Sequence, residues 1–157
     1  MTCLEWKFLL EDDAHKDIIV DSFRFMVRNE RLIIFGFVLM PNHFHAIWQP
    51  NGENQPVDIQ RDMLKYTGQT ILNKMISESS PIVQELLVNA GDRKYQFWER
   101  NSLRVPLWSP KVFRQKLEYI HMNPVRGGLC ELPEEYKYSS ARYYNLNEDD
   151  WDFLTPG

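Results

Sequence analysis

Leu32-Ile33-Ile34-Phe35-Gly36-Phe37-Val38-Leu39-Met40 is a near-continuous apolar run that stops at Pro41-Asn42. It is far too short to span a membrane. It reads as a strand buried on both faces and therefore central in its sheet. Pro41-Asn42 turns the chain, and Asn42 to Gln49 returns as a second strand, so the two should form an antiparallel hairpin. In that second strand His43 and His45 are two residues apart and share a face, while Phe44, Ala46 and Trp48 point the other way, toward a core. Two imidazoles on one face of a strand can chelate a divalent metal if another part of the chain supplies a third ligand.

The remaining segments alternate strand-like and helical patterns. Thr2 to Leu10 is apolar and aromatic and predicts a strand. Glu11-Asp12-Asp13 places acids where a helix begins, and Ile18, Ile19, Ser22, Phe23, Met26 and Val27 recur at helical spacing through Arg28. After the loop Pro50–Pro56, Val57 to Ile76 predicts a helix with Ile59, Met63, Tyr66, Thr70 and Leu72 among its buried residues. Pro81 to Val88 predicts a short helix and Tyr95 to Arg100 a strand, while Leu103 to Trp108 reads as extended. Another short helix is expected near Pro133. No repeat or linker divides the chain, so residues 1–157 are expected to form one domain with an acidic tail from about residue 145.

Composition narrows the class. Of the 157 residues, 43% are hydrophobic and 25% charged, as in ordinary globular proteins. No apolar run reaches membrane-spanning length and no secretion signal opens the chain, so the expectation is a protein with no membrane partner. Cys3 and Cys130 form no Cys-x-x-Cys pair and are expected as reduced thiols in the cytoplasm. The net charge of −4 argues mildly against a generic nucleic-acid binder. Its distribution is uneven: Gly91 to Arg142 holds ten Lys/Arg against six Asp/Glu, whereas Asn145 to Gly157 holds Glu148, Asp149, Asp150 and Asp152 and no base. That pattern fits either a phosphate-binding half with an acidic end, or solvated surfaces with no partner.

Ser109-Pro110 is a helix start, and the helix should run from Lys111 to about Asn123. Phe113, Leu117 and Ile120 form its core stripe. Tyr119 lies off that stripe, with Gln115, Lys116 and Asn123 as neighbours one turn away. Pro124 should end or kink the helix there.

Met40-Pro41-Asn42-His43-Phe44-His45, followed at long distance by Tyr119-Ile120-His121-Met122-Asn123-Pro124-Val125-Arg126, resembles the single-tyrosine HUH transposases, and among them the REP-associated tyrosine transposases. The resemblance extends to Tyr95–Arg100 and Tyr136–Ala141, and so to most of the chain between Asp13 and Tyr144. It implies an α+β, ferredoxin-like fold: an antiparallel sheet with helices and the His-x-His on a central strand. It implies Tyr119 as catalytic nucleophile and His43, His45 and Asn123 as ligands of Mg²⁺ or Mn²⁺. The implied partner is single-stranded or hairpin DNA, the implied state a monomer or homodimer, and the implied location the cytoplasm, in association with the nucleoid.

A tyrosine hydroxyl ordinarily ionises near pH 10 and is a weak nucleophile unless its site favours the phenolate. A divalent cation would neutralise phosphate charge during attack. The implied function is a DNA transposase that cuts and rejoins single strands through a 5′-phosphotyrosine intermediate. The alternatives are a domesticated hairpin-binding protein with little or no cleavage, and a metal-dependent phosphodiesterase that uses water. Arg100, Arg104, Lys116, Arg126 and Arg142 are candidate phosphate contacts or else solvated surface charges. His121 reads as packing. Tyr136, Tyr138, Tyr143 and Tyr144 are rival nucleophiles in principle, and Phe97 and Trp98 read as core more readily than as base-stacking residues.

Overall fold

The computed structural model describes residues 1–100 and 104–157, the Asn89 side chain excepted. Leu103, counted in the extended stretch to Trp108, lies outside the described residues. The fold mixes helices with a small antiparallel sheet. Strand β1 (Leu32–Leu39) pairs with β2 (Phe44–Pro50), as the apolar run and its turn predict. The two-residue connection is held from outside: the amides of Leu10 and Cys3 donate to the carbonyls of Pro41 and Asn42.

Helix α1 (Asp13–Arg28) opens where the Asp12 carboxylate accepts from the Ala14 amide, and it buries Ile19, Val20, Phe23 and Met26. Helix α2 (Pro56–Ser77) buries Ile59, Met63, Thr67, Ile71 and Met75, an unbroken row four residues apart. Tyr66 and Thr70, expected in the core, lie one position off this row; Tyr66 is exposed. These helices cover one face of the hairpin through Ile34, Phe37, Leu39 and Phe44. Helix α3 (Pro110–His121) covers the other face, where Val38, Met40 and Ile47 meet Leu117 and Ile120.

Beyond the hairpin the sheet continues only as single bridges. Thr2 bridges His43 and Cys3 bridges Trp98 on the β2 side; Ser139 bridges Val38 and Leu154 bridges Ile34 on the β1 side. A His-x-His on the central strand of a broad sheet is therefore not what the described residues display. The expected strand Thr2–Leu10 is likewise reduced to its first bridges, because the chain turns into a 3-10 helix at Leu4–Trp6. Pro81–Leu86 is a 3-10 turn that runs into β3 (Leu87–Ala90), paired with β4 (Arg93–Tyr95). Helix α4 (Asn123–Arg126) follows α3 after a break at Met122, one residue earlier than Pro124 alone requires. A 3-10 turn at Pro133–Glu135 and helix α5 (Ala141–Leu146) complete the chain's regular structure. Among the described residues no helix is long and apolar enough to cross a membrane.

Candidate active site between β2 and α3

The site depends on how closely α3 approaches β1, and Gly36 sets that approach. A Cβ at residue 36 would lie 2.5 Å from Leu117 Cδ1 and 3.2 Å from Ser140 Oγ, so any larger residue would have to push the end of the Leu117 side chain aside. A register shift between Ile34 and Gly36 makes Phe35 an extra residue in β1. Its carbonyl accepts from Tyr144 Oη at 2.6 Å, and its ring meets Phe113 edge-on at 5.9 Å.

The far end of α3 is tied down by His121. Its Nε2 lies 2.7 Å from Ser140 Oγ, and that oxygen accepts from the Phe37 amide and donates to the Phe37 carbonyl. The arrangement that satisfies every group has His121 Nε2–H donating to Ser140. Burial pushes the His121 pKa down to about 4, so the ring is neutral. His121 is thus a packing residue, as its place on the helical wheel suggests.

With α3 fixed this way, Tyr119 turns toward the histidine face. Its ring stands edge-on to His45 with centroids 6.1 Å apart, and His45 stands edge-on to His43 at 5.1 Å. The strand alternation holds as expected: His45 and Ile47 share the α3 face, while Phe44, Ala46 and Trp48 pack on the other core. Tyr119 is 47% exposed, so its hydroxyl is not locked in packing. Two cations flank its ring, Lys116 Nζ at 5.6 Å and Arg126 Cζ at 5.2 Å from the centroid. Both were candidate phosphate contacts by sequence, and the structure brings them together at the tyrosine.

The imidazoles are suited to ligation. His43 Nδ1 lies 2.7 Å from Asn42 Oδ1, while the Asn42 amide nitrogen donates to the Trp6 carbonyl at 3.3 Å. That amide orientation requires His43 Nδ1 to carry the proton, which leaves the Nε2 lone pair free. Burial lowers the His43 pKa, with the α-amino group of Met1 as the smaller cause. Burial, the same amine, His43 and Lys116 bring His45 down to about 4. Both rings are therefore neutral at physiological pH, the form that binds metal.

Among the described residues no three His, Cys, Asp or Glu cluster as a metal site, so any third protein ligand beside the two imidazoles would be of another residue type. Asn123, at the start of α4 and one turn after Tyr119, carries a buried side-chain nitrogen with no hydrogen-bond partner. Exchanging the amide's two ends would put its carbonyl oxygen in that place, an oxygen donor of the kind a hard divalent cation takes.

The other candidates separate. Arg104 is exposed, and Arg100 lies 3.5 Å from Asp92. Arg142 is engaged by Glu148 and by Asp150 at 3.1 Å, so the acidic tail neutralises it. The rival tyrosines act in the fold. Tyr136 donates to the Leu39 carbonyl, Tyr138 to Asp17 and Tyr144 to Phe35. Burial raises Tyr136 and Tyr138 to about 12.

Two contributors to the site went unrecognised in the sequence. Asn42 orients His43; as the residue between Pro41 and His43 it reads as turn chemistry alone. Trp6 meets His43 edge-on at 5.6 Å and is 60% exposed. It sits in a turn where Glu5 and Trp6 have φ of 51° and 58°, a left-handed conformation that costs about 1–2 kcal/mol per residue for side chains of this kind. No periodicity signals such a turn.

One solved structure shares this architecture, a REP-associated tyrosine transposase bound to a REP hairpin. The fold is common to both chains. The match has a TM-score of 0.63 and covers 95% of this chain and 78% of that one, at 17% sequence identity. No protein-family model and no curated sequence matches the chain.

Proposed function

We propose that this chain is a transposase-like enzyme that binds hairpin DNA and cuts and rejoins a flanking single strand through Tyr119. The observation that carries the reading is the Tyr119 ring set against His45 between Lys116 and Arg126. The shared fold with a transposase bound to a DNA hairpin supports the choice of partner. In this reading the single bridges on either side of β1–β2 mark the outer strands of a ferredoxin-like sheet, with β2 inside it.

Tyr119 Oη attacks a backbone phosphorus. The new O–P bond forms as the P–O3′ bond breaks, the 5′ side stays on the tyrosine, and the 3′ oxygen leaves as a hydroxyl. The phenol gives up one proton and the leaving oxygen gains one, so the step is balanced. Reversal with a second 3′-hydroxyl rejoins a strand without an external energy source. Lys116 and Arg126 offset phosphate charge beside the nucleophile. His43, His45 and Asn123 would hold Mg²⁺ or Mn²⁺, which when bound supplies charge neutralisation at a non-bridging phosphate oxygen. Tyr119 and His45 of one chain already face each other, which favours a site completed within one subunit, whether the protein is a monomer or a homodimer.

A second reading, a hairpin-binding protein that does not cut, draws support from the net charge of −4 and from Arg142 being held by Glu148 and Asp150. A single experiment separates the two. The protein is incubated with Mn²⁺ and labelled hairpin DNA carrying a single-stranded flank, and covalent adducts are resolved on denaturing gels. We expect an adduct that disappears in Tyr119→Phe, with stability changed by less than about 0.5 kcal/mol because the hydroxyl is not a packing group. Cleavage that survives Tyr119→Phe would replace the covalent mechanism by water attack. Tight binding without cleavage by the unaltered protein would establish the second reading.

A further inference from the structure

We infer that Trp6 is a stacking platform for an unpaired nucleobase, set beside His43 at the mouth of the site; this rests on the single-strand-cutting reading and extends it. Four observations converge on it. The indole is 60% exposed although burial is where tryptophan gains most, so the fold leaves a large apolar ring in solvent. The backbone that carries the ring is not loose. The Glu5 amide donates to Glu99 Oε1 at 2.7 Å, the Trp6 amide to the Cys3 carbonyl, and Asn42 Nδ2 to the Trp6 carbonyl. Those bonds hold Glu5 and Trp6 at positive φ, a conformation that chains retain where surrounding structure over-determines it and that clusters at ligand sites. Finally, the same Asn42 orients His43 and anchors Trp6, so one side chain sets the platform and the candidate ligand in fixed relation.

The ground next to the indole fits a nucleotide. An open groove lies between Trp6, Thr2, Gln96, Glu99 and Arg100. A base laid on Trp6 would meet hydrogen-bonding side chains at its edge, and Arg100, which also lies 3.5 Å from Asp92, lines the same groove as a cation for its phosphate. Stacking on an aromatic ring is tolerant of sequence, since every base has a flat face. This gives Arg100 a place in binding that is separate from the Lys116–Arg126 pair at the nucleophile.

The test compares two probes, a DNA hairpin with a short mixed-sequence single-stranded flank containing 2-aminopurine, and the same hairpin with a blunt end. Binding is followed by anisotropy, and 2-aminopurine quenching reports the stacked base. Trp6→Ala should weaken the flanked probe about tenfold, abolish the quenching, and leave the blunt probe unchanged. Trp6→Phe should recover most of the loss, which shows that the turn itself is intact. Equal weakening of both probes, or flanked-probe binding by Trp6→Ala at the level of the unaltered protein, would overturn the inference. Failure of the unaltered protein to bind either probe would overturn both this inference and the hairpin-binding reading. Trp6-dependent quenching with no Tyr119 adduct would leave the platform standing while the cutting reading fails.

Discussion

The two faces of the β1–β2 hairpin are built to different standards. The face toward α1 and α2 is sealed by aromatic packing: Phe23 meets Phe37, Phe44 and Phe153, and Phe37 also meets Trp151. The face toward α3 has a small core of Val38, Met40, Ile47, Leu117 and Ile120, and beside it two half-buried imidazoles and an exposed tyrosine. Because strand side chains alternate, one hairpin, β1 and β2 with Met40 and His43 at its turn, supplies both faces. The rigid face holds the backbone, and the thinner face can then leave polar groups unsatisfied by packing and open to a ligand.

The largest effect should come from emptying the sealed face. Phe37 is fully buried, and Phe37→Ala should cost about 3–5 kcal/mol in chemical denaturation. A loss below about 1 kcal/mol would mean that the two faces do not differ in the way described. Acid should then act on the thinner face first. His45 and His121 titrate at about 4 in the fold against an ordinary 6.5. The unfolded chain therefore binds more protons between those values. Stability contributed by the neutral rings is present above pH 6.5, is lost as pH falls toward 4, and falls no further below it on their account. Hydrogen exchange between pH 7 and 4 should show α3 amides losing protection before those of α1; simultaneous loss would break the comparison. A smaller effect on stability than that of Phe37→Ala, about 1–2 kcal/mol, is expected from Gly36→Ala, whose methyl would press on Leu117. Its effect on Tyr119 adduct formation should be larger than that stability loss accounts for, and Leu117→Ala in the same chain should restore part of it. Unchanged adduct yield would show that the spacing of α3 from β1 does not govern the site.

What could be read from the sequence follows from how local each signal is. The hairpin and the shared face of His43 and His45 depend only on strand parity and a two-residue turn, so both were legible. So was α1, whose start is fixed by the Asp12 cap. Tyr119 could be placed off the core stripe of its helix. Its approach to His45 could not be read, because that depends on the space at Gly36 and on Ser140, a hundred residues from its Phe37 partner in sequence, for which periodicity has no term. The strand expected over Thr2–Leu10 is missing for a related reason. Thr2, Ser139 and Leu154 each bridge the hairpin at one residue and Cys3 bridges Trp98, and a single bridge needs no alternating pattern. Arg142 looked available until the chain's own acids were found on it.

The extra residue in β1 has a consequence for how lineages of this fold could vary in length. Without Phe35 the strand reads Leu32, Ile33, Ile34, Gly36, Phe37, Val38, Leu39, in which every side chain keeps the face it occupies now, since Ile34 and Phe37 would stay inward and Gly36 and Val38 outward. Phe35 is therefore a position where a one-residue deletion preserves the parity of the strand and of the histidine strand paired to it. What such a deletion removes is the Tyr144 hydrogen bond and the Phe113 contact, the ties between the early half of β1 and helices α5 and α3. The inserted residue adjusts the seating of those helices and leaves the reading frame of the sheet untouched.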